Sequence, residues 1–230
     1  MDIAAISKTV RRRLKEKISG KSRYGNVEWK NADFEWYSKI HDDNFLLHQD
    51  FMRYLKEKKD IKTVLEAGCG AGVYAIRHKD LFNRLSYTGL DISNEAIEYC
   101  KRNSNFNFIC GDLIKMGITE KYDLVYSHAV VDHVYDIDTF ISKLCSLCKK
   151  YAYINAYRGY FPNLKKHKMI WRDDDGCYYN DVSAVQIREV LIKNGLKEDE
   201  FVIRSQENGF GITQTVIEIT RNTSSNALVL

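Results

Sequence analysis

Val64-Leu65-Glu66-Ala67-Gly68-Cys69-Gly70-Ala71-Gly72 closes an apolar run that starts at Ile61, and its reading decides the fold. Val64 and Leu65 end a short strand; an acid and three glycines then follow at alternate positions. Glycine has no Cβ, so such a turn can bend sharply and let a ligand come close to the backbone. Val73-Tyr74-Ala75-Ile76 opens a helix behind the turn, with its first amides expected to face outward. Strand, glycine turn and helix together begin an open α/β sheet. The dinucleotide fingerprint G-x-G-x-x-G places its third glycine three residues after the second. Here Gly72 follows Gly70 by two, and the pattern becomes Glu66-x-Gly68-x-Gly70-x-Gly72.

Residues 85–93 form a second strand ending in Asp91, 19 positions after Gly72. That is close to the interval of about 20 at which an acid meets a ribose, and two carboxylate oxygens can accept from both ribose hydroxyls. Residues 106–113 make a third strand with Gly111-Asp112-Leu113 at its end, and residues 122–127 a fourth, running into His128. These motifs resemble those of the class I S-adenosylmethionine (SAM)-dependent methyltransferases, over roughly residues 61–220. The resemblance implies a Rossmann-like, seven-stranded, mostly parallel sheet with helices on both faces and an antiparallel last strand. It implies that Glu66, Ala67, Gly68, Cys69, Gly70 and Gly72 border SAM, Glu66 toward its methionine end. Asp91 would hold the ribose, Ile92 would pack on adenine, and Asp112 would accept from the adenine amine between the backbones of Gly111 and Leu113. Ser127 and His128 would meet the methionine part. The product would be S-adenosylhomocysteine (SAH).

The form of Ser127-His128-Ala129-Val130-Val131-Asp132-His133 resembles small-molecule methyltransferases of the ubiquinone and menaquinone type. The motif Asn/Asp-Pro-Pro-aromatic, which holds a flipped base amine in nucleic-acid enzymes, has no counterpart there. An oxygen or nitrogen acceptor on a small molecule follows, with His128 and His133 as candidate bases near neutral pH. Asp132 is expected to be a solvated or capping carboxylate. The family inserts acceptor-recognition segments after the fifth strand, here residues 158–181; Tyr37, Tyr157, Arg158, Trp171, Arg172 and Tyr179 are the candidate acceptor contacts.

A chain of 230 residues, 44% hydrophobic, can bury one sizeable core. Residues 1–60 are expected to be a helical cap or lid with a basic arm, 61–221 the SAM-binding domain, and 222–230 a loose tail. The formal charge of +4 is uneven: residues 1–30 hold nine Lys/Arg against three Asp/Glu. That arm, with an amphipathic helix over residues 3–18, leaves an RNA methyltransferase as the alternative; a non-catalytic SAM-binding protein is another. Six cysteines without a disulfide framework fit a reducing cytosol, and the absence of a long apolar run predicts no transmembrane segment. Cys145 and Cys148 lack a second ligand pair, so they are expected to pack in the core, and no metal site is expected. Ser183-x-x-Gln186 predicts a capping box opening a helix that stops at Asn194-Gly195. The oligomeric state is not legible.

Overall fold

The computed structural model of the chain describes residues 46–161, 163–173, 176–207 and 213–222. The 3–18 helix, the basic arm, Tyr37 and the tail beyond residue 222 lie outside them. Seven strands form one sheet: β1 (Thr63–Ala67), β2 (Ser86–Asp91), β3 (Asn107–Cys110), β4 (Tyr122–His128), β5 (Cys148–Ala156), β10 (Phe201–Glu207) and β11 (Thr213–Thr220). Their order is β10-β11-β5-β4-β1-β2-β3. The neighbours from β5 across to β3 are all parallel, whereas β11 runs antiparallel to both β5 and β10. The chain order reverses between β1 and β4, and that crevice is where open α/β sheets bind ligands.

Both faces of the sheet are covered, and the alternation of side chains along each strand sorts them into two cores. On one face Val64, Leu124, Tyr126 and Tyr153 pack under α1 (Leu46–Glu57), α2 (Val73–Arg77), α3 (Lys79–Phe82) and α4 (Asn94–Asn103). On the other, Leu65, Val125, Ala152 and Ile154 pack under α5 (Ile137–Leu147) and α6 (Ala184–Lys193). α1 buries Leu47, Phe51, Tyr54 and Leu55 on one stripe. Its fixing point is Asp50, whose carboxylate accepts from Tyr153 Oη at 2.7 Å, from Arg204 at 2.5 Å, and from Arg53. α4 and α5 begin at Ser93 and Asp136, which accept from the amides of Ala96 and Thr139.

Several boundaries differ from expectation. The helix after the glycine turn is two pieces, broken at His78, where ψ is 39°. β3 stops at Cys110, so Asp112 sits in the following turn. Cys148 opens β5 rather than ending α5, and both it and Cys145 are buried as expected. Ser183 does cap α6, accepting from Gln186 N. Gln186 does not reciprocate: its side chain donates to Asp138, while Ser183 N donates to His167 Nδ1. The segment from β5 to α6 folds over the strand ends through β6 (Tyr160–Phe161) paired with β9 (Val182–Ser183), and the hairpin of β7 (Trp171–Arg172) with β8 (Cys177–Tyr178). Among the described residues no helix is long and apolar enough to cross a membrane.

Candidate functional site

The glycine turn leaves β1 with Gly68, Gly70 and Gly72 all at positive φ (80°, 48° and 65°). Four of the turn's own amides are taken up within the protein. Gly68 N and Cys69 N both donate to Leu90 O (2.7 and 3.0 Å), Gly72 N to Cys69 O (2.8 Å), and Gly70 N to Asp91 Oδ2 (2.8 Å). The turn therefore presents a shape, stitched to the end of β2, rather than a row of donors. Val130 lies directly on it: a Cβ at Gly68 would fall 2.3 Å from Val130 Cγ2.

Asp91 is 5% exposed, and its other oxygen accepts from Ser93 N at 2.8 Å. Ile92 follows at the strand end, and Gly111 N donates back to Asp91 O at 2.8 Å. Asp112 Oδ1 accepts from Ile114 N at 3.0 Å; Oδ2 accepts from Tyr135 Oη at 2.8 Å. Leu113 is buried in the α5 core.

Glu66 is withdrawn beneath the turn, 3% exposed, accepting from Tyr87 Oη and Tyr126 Oη at 2.5 and 2.7 Å. Burial pushes its carboxyl up to about 8, against the opposing pull of the two phenols. Near neutral pH it is an uncharged acid. Ser127 Oγ donates to Ala67 O at 2.8 Å and ties β4 to β1.

The two candidate histidines occupy separate clusters. His128 sits under α1, its ring edge-on to Phe51 (4.7 Å), beside Tyr74 (4.6 Å) and stacked with Tyr153 (5.3 Å). Tyr74 Oη lies 3.3 Å from its Nδ1. His133 belongs to the group made by the segment after β5. Its Nδ1 is 2.7 Å from Tyr178 O, its ring is stacked on Tyr157 (5.6 Å), and Tyr179 meets it edge-on (5.0 Å). Arg172 lies over Tyr179, 4.5 Å from the ring centroid, and Trp171 meets Tyr178 at 5.0 Å.

Asp132 anchors that group and is neither solvated nor a helix cap. It is 0% exposed, and its carboxylate accepts from Tyr157 N at 3.0 Å and Arg158 N at 3.3 Å. Its main-chain oxygen accepts from Asn180 N at 2.7 Å. Burial raises its carboxyl to about 6. The Arg158 guanidinium pairs with Asp181 at 2.7 Å, and its side chain also meets Tyr157.

A family model described as a methyltransferase domain matches residues 58–201, more than half of the chain. The chain belongs to the class I SAM-dependent methyltransferases. Within that family, the malonyl-[acyl-carrier protein] O-methyltransferase 2 of Ilyobacter polytropus is 26% identical over 127 residues, covering 52% of this chain and 49% of that protein. The chain spans about half the length of the curated relatives it matches. Magnesium protoporphyrin IX methyltransferase from Synechocystis PCC 6803, crystallised with SAM, superposes with a TM-score of 0.56 at 20% identity, covering 84% of this chain and 92% of that one. The N-methyltransferase NodS from Bradyrhizobium japonicum WM9, crystallised with SAH, gives 0.56 at 18% identity over 84% and 94%. At such identities the likeness is one of fold.

For a methyltransferase of this class, the motif residues from Glu66 to Asp112 do converge on the β1, β2 and β3 ends. His133, Tyr157, Tyr179, Arg172 and Trp171 converge on one another. His128 takes its contacts elsewhere, Arg158 joins the second group through Tyr157 and Asp132, and Tyr37 lies outside the described residues. Val130, Asp132 and Tyr135 carry contacts that residue type and spacing did not single out, because each acts through a neighbour distant in sequence.

Proposed function

We propose that this chain transfers a methyl group from SAM to an oxygen or nitrogen of a small-molecule acceptor, with His133 taking the acceptor's proton. The reading rests on one observation, His133 Nδ1 at 2.7 Å from Tyr178 O. A carbonyl oxygen only accepts, so Nδ1 carries the hydrogen and the neutral ring has its lone pair on Nε2. Tyr157 and Tyr179 hold the ring plane, and Asp132 holds the Tyr157–Arg158 backbone beneath it. A base so fixed contributes about 10²–10⁴-fold for a hydroxyl or protonated amine acceptor.

Asp91 suits a pair of ribose hydroxyls, since it stands at the end of β2 and a carboxylate has two oxygens that can each accept. Asp112, with Gly111 and Leu113, takes the adenine edge; Ile92 lies against the ring; the residues of the glycine turn border the chain of the cofactor. Ser127 and His128 stand at the methionine end. SAM, when bound, supplies an electrophilic sulfonium methyl, and positioning of the acceptor provides much of the remaining acceleration.

Two variants test this. Asp91→Ala is expected to weaken SAH binding in calorimetry with the fold kept and the melting temperature lowered, because the amides of Gly70 and Ser93 lose their acceptor. His133→Asn keeps a donor for Tyr178 O and loses the base. It is expected to bind SAH as the parent does while turnover of labelled SAM falls at least about 100-fold across a panel of hydroxy, amino and carrier-thioester acceptors. Unchanged SAH affinity in the first variant would overturn the cofactor assignment, and unchanged turnover in the second would remove His133 as the base.

A further inference from the structure

We propose that the acceptor carries an anionic oxyacid group, a carboxylate or phosphate, and that Arg172 grips it one aromatic ring away from His133. The inference rests on the placement of the acceptor beside His133. The residues from 158 to 172 contain five Lys/Arg and no Asp/Glu, and Asp173, Asp174 and Asp175 follow them. Three of those cations are answered by carboxylates: Arg158 by Asp181 at 2.7 Å, Lys168 by Asp181 at 3.8 Å, and Lys166 by Glu189 at 3.6 Å. Among the described residues no carboxylate pairs with Arg172. The neighbouring Asp173 is turned to Trp171 Nε1 at 2.9 Å instead.

Arg172 is nonetheless held in place. Its guanidinium lies over the face of Tyr179, whose edge touches His133. The β7–β8 pairing, Arg172 opposite Cys177, fixes the backbone on which it stands. A guanidinium resting on an aromatic face keeps its in-plane N–H fork for a partner with two oxygens, which a neutral group cannot match. Tyr157 stacked on His133 and Tyr179 edge-on to it give an aromatic surround that suits a planar body between that anion and the methyl-accepting atom.

The test uses the full chain and three probes of one shape: 4-hydroxybenzoate, 4-hydroxyphenyl phosphate and the neutral 4-hydroxybenzamide. Binding is measured by calorimetry with and without saturating SAH. At least one anion is expected to bind about tenfold or more tighter than the amide, the usual scale of charge-assisted hydrogen bonds. Arg172→Gln should erase that preference, and Arg172→Lys should keep part of it, with melting temperature and SAH affinity unchanged. Which anion wins tells carboxylate from phosphate. Equal binding of all three probes, binding of none, or a preference that survives in Arg172→Gln would overturn the proposal. Failure of SAH to bind would strike the cofactor assignment and leave the anion preference to be read from the SAH-free titrations.

Discussion

Replacing Gly68 by alanine adds one methyl group at the point where β1 meets the loop after β4. Two costs arise there, and they can be separated. The backbone at φ +80° disfavours a Cβ by roughly 1–2 kcal/mol. The new Cβ would also stand 2.3 Å from Val130 Cγ2, 3.1 Å from Cγ1 and 3.2 Å from Cβ. A β-branched side chain cannot swing all three atoms away by a rotamer change, and overpacking of this kind costs about 1–3 kcal/mol. Gly68→Ala should therefore lose about 2–5 kcal/mol, a fall in melting temperature on the order of 10 °C for a domain of this size. Gly195 provides the control, since it has φ +80° too but nothing within 4 Å of its added Cβ. Gly195→Ala should cost only the backbone share. In a cycle with Val130→Ala, followed by urea denaturation, the double variant should recover about 1–3 kcal/mol relative to the sum of the singles. A Gly68→Ala protein no less stable than Gly195→Ala, or strict additivity with Val130→Ala, would refute the contact.

Two further outcomes follow from buried charge. Glu66 titrates near 8 in the folded chain and near 4.5 when unfolded, so the folded state holds a proton that unfolding releases. Its contribution is fully present below about pH 4.5 and is lost as pH rises through 8. Between pH 5 and 8 the parent's stability should fall with pH more steeply than that of Glu66→Gln, by about 1.4 kcal/mol per unit; parallel denaturation profiles would disprove it. Asp50→Asn removes the anion that Arg204 and Tyr153 share under α1. Breaking a fully buried pair costs about 3–5 kcal/mol, and less here because Arg204 is 27% exposed and keeps Glu218. Faster amide exchange confined to α1 is expected, and parent-like protection there would show that Asp50 does not hold the helix.

The sheet was legible because its strands are short apolar runs closed by glycine or an acid, and the two-residue spacing of Gly68, Gly70 and Gly72 has few other uses. The place of Asp91 at the end of β2 was legible too, as an acid closing an apolar run. The break at His78 was not, since residues 73–82 hold neither glycine nor proline to mark it. Nor was the capping of α6: Ser183 and Gln186 have the spacing of a reciprocal box, but Asp138 and His167, from elsewhere in the chain, offer Gln186 and the Ser183 amide other partners. Asp132 looks solvent-facing in sequence, flanked by Val131 and His133. Only the return of the chain at Tyr157 and Asn180 buries it. The separation of His128 from His133 has a similar origin, because leaving the strand frees the second ring from the alternation that points the first at α1.

The position of β11 bears on how the molecule is completed. It pairs on one side with residues 151–156 of β5 and on the other with β10, in opposite directions to both. During synthesis the earlier half of the sheet can assemble with β5 as its bare margin, the edge that β11 covers in the finished fold. Until residues 213–220 emerge and slot in, that margin offers a row of unanswered peptide groups to any extended segment nearby. A ribosome stalled upstream would leave a chain with its glycine turn built and its sheet open to capture by a neighbour.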